Sequence, residues 1–215
     1  MAFGRNMNTV FGGPDDVRTI IFPNMVRTVR QGSFLGVQSL KSAILNEGLE
    51  VLGTDEYQLD EKLYSGVFQE SGVRRVRLPS TLRTIKHDAF KDCKNLTEIQ
   101  LPESLECIGH ACFAASGLEE VRFPSSLRVV GSLAFKNCER LRRAELNEGL
   151  EVLGARWDWG YAEHKGAVFM ESGLEHVRIP STLKEIYPLT FAKCVDLRCV
   201  EFSEGLEKIG AGAFV

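Results

Sequence analysis

Apolar residues in this chain return in one phase, mostly every 22 or 23 positions. The clearest copy places Leu118, Val121, Phe123, Leu127, Val130, Ala134, Phe135 and Cys138 at the conserved-phase slots, with polar residues between them. Within Leu118-Glu119-Glu120-Val121-Arg122-Phe123 the alternation has period two. Val121 and Phe123 therefore face a core, and Glu120 and Arg122 face solvent, as in a half-buried strand. Pro124 closes that strand because proline has no N–H for a ladder bond. Pro23, Pro79, Pro102 and Pro180 repeat the stop, and Asn46, Asn147 and Ser203 fill the slot with other turn formers. The spacing of Leu127 and Val130 predicts a second, shorter strand, and the A-F-x-x-C segment predicts one helical turn that drives Phe135 inward. Units begin at Val17, Leu40, Val73, Leu96, Leu118, Leu141, Leu174 and Leu197. Such a period predicts a solenoid: stacked coils, each touching mainly its neighbours around one continuous core.

The lines LPSTLRTIKHDAFKDCKNL (78–96) and FPSSLRVVGSLAFKNCERL (123–141) resemble the BspA-type leucine-rich repeats, also described from treponemal proteins. The resemblance runs over roughly residues 10 to 215. It implies a leucine-rich-repeat solenoid of about eight repeats. A parallel β-sheet lies on one face, with short second strands and helical turns on the other. It also implies use in adhesion or protein binding, often at cell surfaces, and it carries no catalytic residues to transfer.

A longer period overlies the short one. The second unit (40–72) and the sixth (141–173) have 33 residues each and share NEGLEVLG at 46–53 and 147–154. In each, 13 residues stand between the glycine and the residue that precedes the repeat phenylalanine, where the fifth unit has two. The same offset of 101 residues relates units one to five, three to seven and four to eight, as a block duplication predicts. The domain reading is a partial preceding repeat over 1–16 and a solenoid over 17–215 with its last repeat truncated. Val10-Phe11 and Ala213-Phe214 occupy the same repeat slot at the two ends, so the expectation is a segment of a longer protein.

The inserted loops keep their length and change their chemistry. TDEYQLDEKLYSG (54–66) carries Tyr57, Asp60 and Glu61, with Asp55 and Glu56. ARWDWGYAEHKGA (155–167) holds Trp157, Trp159, Tyr161 and His164. Tryptophan and tyrosine give large rigid contact area and dominate interface hot spots, and the alternative is that these rings cover a neighbouring coil. On the sheet face, outward positions predict lateral charge pairs: Arg122 with Glu145, Arg178 with Glu201, Arg75 with Glu98, Glu120 with Arg143. Arg74, Arg75 and Arg77 are the least balanced patch, which makes Arg75 and Arg77 binding candidates.

Charge and cysteine usage narrow the function classes. A net charge of −3 without a concentrated basic footprint argues against nucleic acid, and no apolar run approaches ~20 residues, so no membrane insertion is expected in this segment. Cys93, Cys138 and Cys194 share the slot three residues after the repeat phenylalanine, and Cys112 precedes Phe113. Their slots predict small buried fillers with free thiols. Free thiols fit a reducing compartment, while the resemblance allows a cell surface, so localisation stays open. No nucleophile elbow, phosphate loop or zinc-protease motif occurs, and Cys107, His110 and Cys112 lack a fourth ligand at workable spacing. The reading is no catalytic residue, no metal site and no cofactor. The first expectation is a non-enzymatic protein-interaction scaffold whose partner is another protein, or flanking domains and subunits of a larger assembly. The alternatives are an adhesin that binds glycan or matrix, and a spacer rod.

Overall fold

The computed structural model describes residues 16–54, 65–155 and 166–215. Its strands, in chain order, are β1 (Thr19–Ile21), β2 (Ser42–Ile44), β3 (Val51–Leu52), β4 (Arg75–Arg77), β5 (Thr84–Ile85), β6 (Cys107–Ile108) and β7 (Glu120–Arg122). They continue as β8 (Val129–Gly131), β9 (Arg143–Glu145), β10 (Val152–Ala155), β11 (His176–Ile179), β12 (Glu185–Ile186), β13 (Cys199–Phe202) and β14 (Lys208–Ile209). Every strand pairing is parallel, because each coil brings the chain back in the same direction.

The front sheet is formed by the first strand of each coil. It falls into two parts, β1-β2-β4 and β7-β9-β11-β13, because residues 98–100 form no strand between them. The alternation survives there, with Glu98 and Gln100 exposed, but Ile99 and Leu101 are only half-buried. One unbroken front sheet, as the periodicity predicts, is therefore not formed. Periodicity sets which side chains face the core and does not set whether adjacent backbones bond. The shorter second strands predicted from the sequence do form. They make a back sheet in the order β10-β8-β6-β5-β3, followed by the pair β12-β14.

The A-F-x-x-C segment is a correction to the sequence reading, since no helix occurs among the described residues. Apolar spacing of one and three residues imitates a helical turn, but the backbone alternates its bonding. Leu133, Phe135 and Asn137 donate their N–H groups to Gly166, Val168 and Met170 of the next coil, at 3.2, 2.8 and 2.9 Å. Lys136 and Cys138 donate back to Leu133 and Phe135 in their own coil. Leu133 and Asn137 reach this arrangement at φ of 60° and 57°, in the left-handed region. Bonds between coils thus replace the i→i−4 bonds that a helix needs.

The core is one column of rings. Phe34, Phe68, Phe90, Phe113, Phe135, Phe169, Phe191 and Phe214 stack with centroids 5.1–5.5 Å apart and planes within 12° of parallel. Phe22 and Phe202 cap the two ends edge-on, against Phe34 and Phe214. Burial of the rings from Phe68 to Phe191, which are fully enclosed, contributes roughly 1.5–3 kcal/mol each, and each ring contact adds about 0.5–1.5 kcal/mol.

Beside the rings runs a polar column. Three residues after the phenylalanines from Phe68 to Phe191 the chain reads Ser71, Cys93, Ser116, Cys138, Ser172, Cys194, alternating, while the same slot after Phe34 holds Val37. Each cysteine thiol donates to the carbonyl of the phenylalanine one coil earlier: Cys93 to Phe68, Cys138 to Phe113 and Cys194 to Phe169, at 3.0–3.1 Å. Each also meets the serine hydroxyl of that earlier coil, at 3.4–3.7 Å. The serine coils continue with a glycine whose N–H donates one coil back, Gly72 to Val37, Gly117 to Cys93 and Gly173 to Cys138. A Cβ on Gly117 would lie 2.2 Å from the Lys94 carbonyl oxygen, so no side chain fits. These slots are buried, as the sequence predicts, but the cysteines are hydrogen-bonded members of a column and more than apolar filler.

Candidate binding face

The front sheet presents three outward columns. Two lie on the strands, and the third lies one residue before them, at Arg18, Lys41, Arg74, Thr97, Glu119, Arg142, Glu175 and Arg198. Backbone bonds align this third column coil by coil: Lys41 donates to Arg18, Arg74 to Lys41, Glu119 to Thr97, Arg142 to Glu119, Glu175 to Arg142 and Arg198 to Glu175. From Glu119 onward its charges alternate, and Arg142 pairs with Glu175 at 3.8 Å and with Asp196 at 2.7 Å. From Arg18 to Arg74 it is positive at every step. Neighbouring strands lie ~4.8 Å apart. Like charges stacked at that spacing destabilise the sheet by an amount on the order of 0.2–1 kcal/mol each.

The positive column opens into a groove where the front sheet breaks. This groove has a volume of about 580 Å³ and is lined by Lys41, Arg74, Arg75, Lys94 and Arg140 among other residues, with Glu98 as its one carboxylate. Arg140 is tied to Glu119, and the Lys41 ammonium donates to the Gln38 carbonyl at 2.9 Å. Among the described residues, Arg74 and Arg75 have no carboxylate within ion-pair distance, and Arg75 does not reach Glu98 as the sequence predicted. A second groove of about 290 Å³ follows beyond the break, lined by both signs of charge, including Glu98, Glu120, Arg122, Arg143 and Glu145.

The remaining charge pairs are partly as predicted. Arg122 reaches Glu145 at 2.7 Å. Glu120 stands in register with Arg143 without closing an ion pair. Glu201 stands in register with Arg178, yet its carboxylate turns diagonally to His176 at 3.0 Å, while Arg178 reaches Glu148 at 3.7 Å. Glu148 also accepts from the backbone N–H and hydroxyl of Ser181, and those bonds hold its carboxyl below the usual range.

Of the residues singled out by sequence, Arg75 lines the basic groove and Arg77 is exposed beside it on β4. Tyr57, Asp60, Glu61, Trp157, Trp159, Tyr161 and His164 lie outside the described residues. Their roots are described. The first insertion leaves the back sheet after β3 and the second after β10, at the two ends of one five-stranded sheet. Four strand spacings of ~4.8 Å put these roots roughly 20 Å apart, on the back face. The second is closed at its base, where the Gly166 N–H donates to the Gly154 carbonyl at 3.3 Å. The fold therefore does not bring the insertion roots together with Arg75. Sequence reasoning missed Lys41, Arg74 as a column member, Lys94 and Arg140. The available signal was the run of like charges immediately before successive strands.

The free cysteines are Cys93, Cys107, Cys112, Cys138, Cys194 and Cys199. Burial pushes the Cys93 thiol up to about 12 and the Cys138 thiol up to about 11. Thiols held protonated in this way are poor nucleophiles and poor metal ligands. Cys199 alone among them is exposed. No helix among the described residues is long and apolar enough to cross a membrane.

A family model described as the BspA type leucine rich repeat region matches residues 7–58, 61–157 and 163–215, in six copies. A leucine-rich repeat protein from Bacteroides ovatus has a similar structure, with a TM-score of 0.74 at 22% identity over 90% of this chain. The match spans 48% of that protein, so this chain covers about half of its length. A leucine rich repeat protein from T. pallidum matches with a TM-score of 0.63 at 24% identity, over 93% of this chain and 76% of that one. At these identities the likeness shows the fold. No curated protein matches the chain in sequence.

Proposed function

The chain belongs to the BspA-type leucine-rich-repeat family, and we propose that it works as a non-enzymatic scaffold that holds an acidic segment of another protein. The observation that carries this reading is the stack of Arg18, Lys41 and Arg74 leading into the groove of Arg75, Lys94 and Arg140. The rest of that column relieves itself by alternating sign; this part repels itself. A ligand with carboxylates spaced along an extended chain would relieve that repulsion, since extended backbone and stacked coils both advance by a few ångströms per step. The open, polar shape suits a peptide better than a small molecule, which prefers a concave apolar pocket. The inserted loops, with Trp157, Trp159, Tyr161 and His164 on one and Tyr57, Asp60 and Glu61 on the other, supply a second contact in this reading.

The test is binding of a fluorescent oligo-glutamate peptide, with an oligo-lysine peptide as control. Saturable binding that weakens with salt and is lost in the double variant Lys41→Glu with Arg74→Glu supports the proposal. Equal binding by wild type and double variant would overturn the site. A preference for an oligonucleotide of matched charge would overturn the class of partner.

A further inference from the structure

A different patch of the front sheet carries ligating chemistry that the basic groove does not use. His176 on β11 stands in register with Cys199 on β13, and Glu201 lies two residues further along β13 on the same face. An imidazole nitrogen, the thiol Sγ and a carboxylate oxygen all lie within 4.8 Å of one another, and all three residues are exposed. Parallel pairing fixes this grouping: opposed side chains on adjacent strands, and residues i and i+2 on one strand, share a face. The backbone beneath is hydrogen-bonded to β13, with Val177 fully buried between the outward His176 and Arg178.

The charge pattern marks the patch as well. Arg178 is the in-register partner that a simple charge ladder would give Glu201, but the carboxylate is turned to His176 at 3.0 Å and Arg178 is engaged with Glu148. Two of the three donor atoms are therefore already converged, and the thiol beside them is the one exposed cysteine of the described chain.

We propose that His176, Cys199 and Glu201 form a surface site for a divalent transition-metal ion of the zinc class. One nitrogen, one sulfur and one oxygen donor match the borderline-soft ions and not calcium or magnesium, which take oxygen ligands. Tetrahedral bonds of about 2.0–2.3 Å put donor atoms roughly 3.3–3.8 Å apart, so the present separations close with side-chain rotation alone. Binding releases the thiol proton to solvent, and the thiolate and the Glu201 carboxylate together balance the charge of the ion. A water molecule takes the fourth position. Arg143, in register with His176 on its other side, and Arg178 face the same patch. Their charge opposes the ion and limits its affinity. The site is independent of the acidic-segment reading, and neither stands on the other.

The experiment is titration of the reduced protein with Co²⁺, followed by displacement with Zn²⁺. The wild type should develop a thiolate-to-cobalt charge-transfer band that saturates at one ion per chain and disappears when zinc is added. Cys199→Ser should abolish the band, and His176→Ala and Glu201→Gln should each weaken binding by about tenfold or more, while Cys107→Ser should leave it unchanged. All four positions are on the surface or partly so, and far-ultraviolet circular dichroism checks that each variant keeps the fold. Absence of the band in the wild type overturns the proposal. So does its survival in Cys199→Ser, or undiminished affinity in both His176→Ala and Glu201→Gln.

Discussion

The Cys138 thiol donates to the Phe113 carbonyl at 3.1 Å, one coil away, and meets the Ser116 hydroxyl of that same coil at 3.5 Å. A side chain chosen for size alone would not need either contact. Cys138→Ala removes the buried sulfur, takes the Ser116 hydroxyl's contact away and leaves the Phe113 carbonyl with only the Ser116 N–H. The expected cost is about 1–3 kcal/mol, measured by denaturant unfolding. A loss near zero would mean that the slot asks only for a small residue.

Phe135 is fully buried with a ring stacked on either side, whereas Phe214 is 40% exposed with one parallel neighbour. Phe135→Ala should therefore destabilise by ~3–5 kcal/mol, and Phe214→Ala by clearly less. The comparison uses the midpoints of chemical denaturation at equal slope. Equal losses would show that the ladder is not the continuous core described.

Gly117 approaches the Lys94 carbonyl too closely for a Cβ, while Gly36 sits in open space at φ +68°. Gly36→Ala meets only backbone strain, an effect of about 1 kcal/mol. Gly117→Ala must in addition push two coils apart and should lower stability further. Thermal unfolding of the two variants side by side decides the order, and the reverse order would refute the packing argument.

Burial raises the Cys93 thiol from 9.0 to about 12. Between those values the unfolded chain ionises this group and the folded chain does not. Stability that is fully present below pH 9 therefore declines as pH rises through that window. In Cys93→Ala the decline should be shallower than in the wild type, read from denaturant midpoints across the alkaline range. Parallel curves would mean that the thiol is solvated in the folded state.

Thiol chemistry gives a further check on the fold. With a disulfide-exchange reagent at neutral pH, Cys199 should react first and Cys107 more slowly, because Cys107 is only partly exposed. Cys93, Cys112, Cys138 and Cys194 should react at the rate of unfolding. Fast modification of all six at once would contradict the buried column.

Much of this fold was legible because each coil repeats the same evidence. The inward column from Phe34 to Phe191 and the second strands behind it follow directly from phase. The tight turns at Leu133 and Asn137 were not legible. Their apolar spacing is that of a helix, and only the bonds to the next coil, which sequence spacing does not encode, exclude one. The break at residues 98–100 was hidden for a related reason, since the inward and outward alternation continues through it. In the candidate site Arg75 was legible as an outward strand residue. Lys41 and Arg74 precede their strands, where period-two reasoning assigns no face, and Arg140 and Lys94 reach the groove from the turns. The His176–Glu201 pairing was obscured by the register itself, which offers Arg178 first.

The alternation of serine-glycine coils with cysteine coils gives this rod a parity. A serine coil spends three residues between its polar slot and the next front strand (117–119 before Glu120), and a cysteine coil spends four (139–142 before Arg143), so each kind fits onto the other. Loss of a single coil would seat glycine against glycine or thiol against thiol, with the interlocking carbonyls out of step. Growth and shrinkage of the array are therefore confined to even numbers of coils. The internal duplication obeys this, having copied a block of four. Shortened versions of the protein should be designed in pairs of coils, since an excision of one or three leaves a seam that no single substitution repairs.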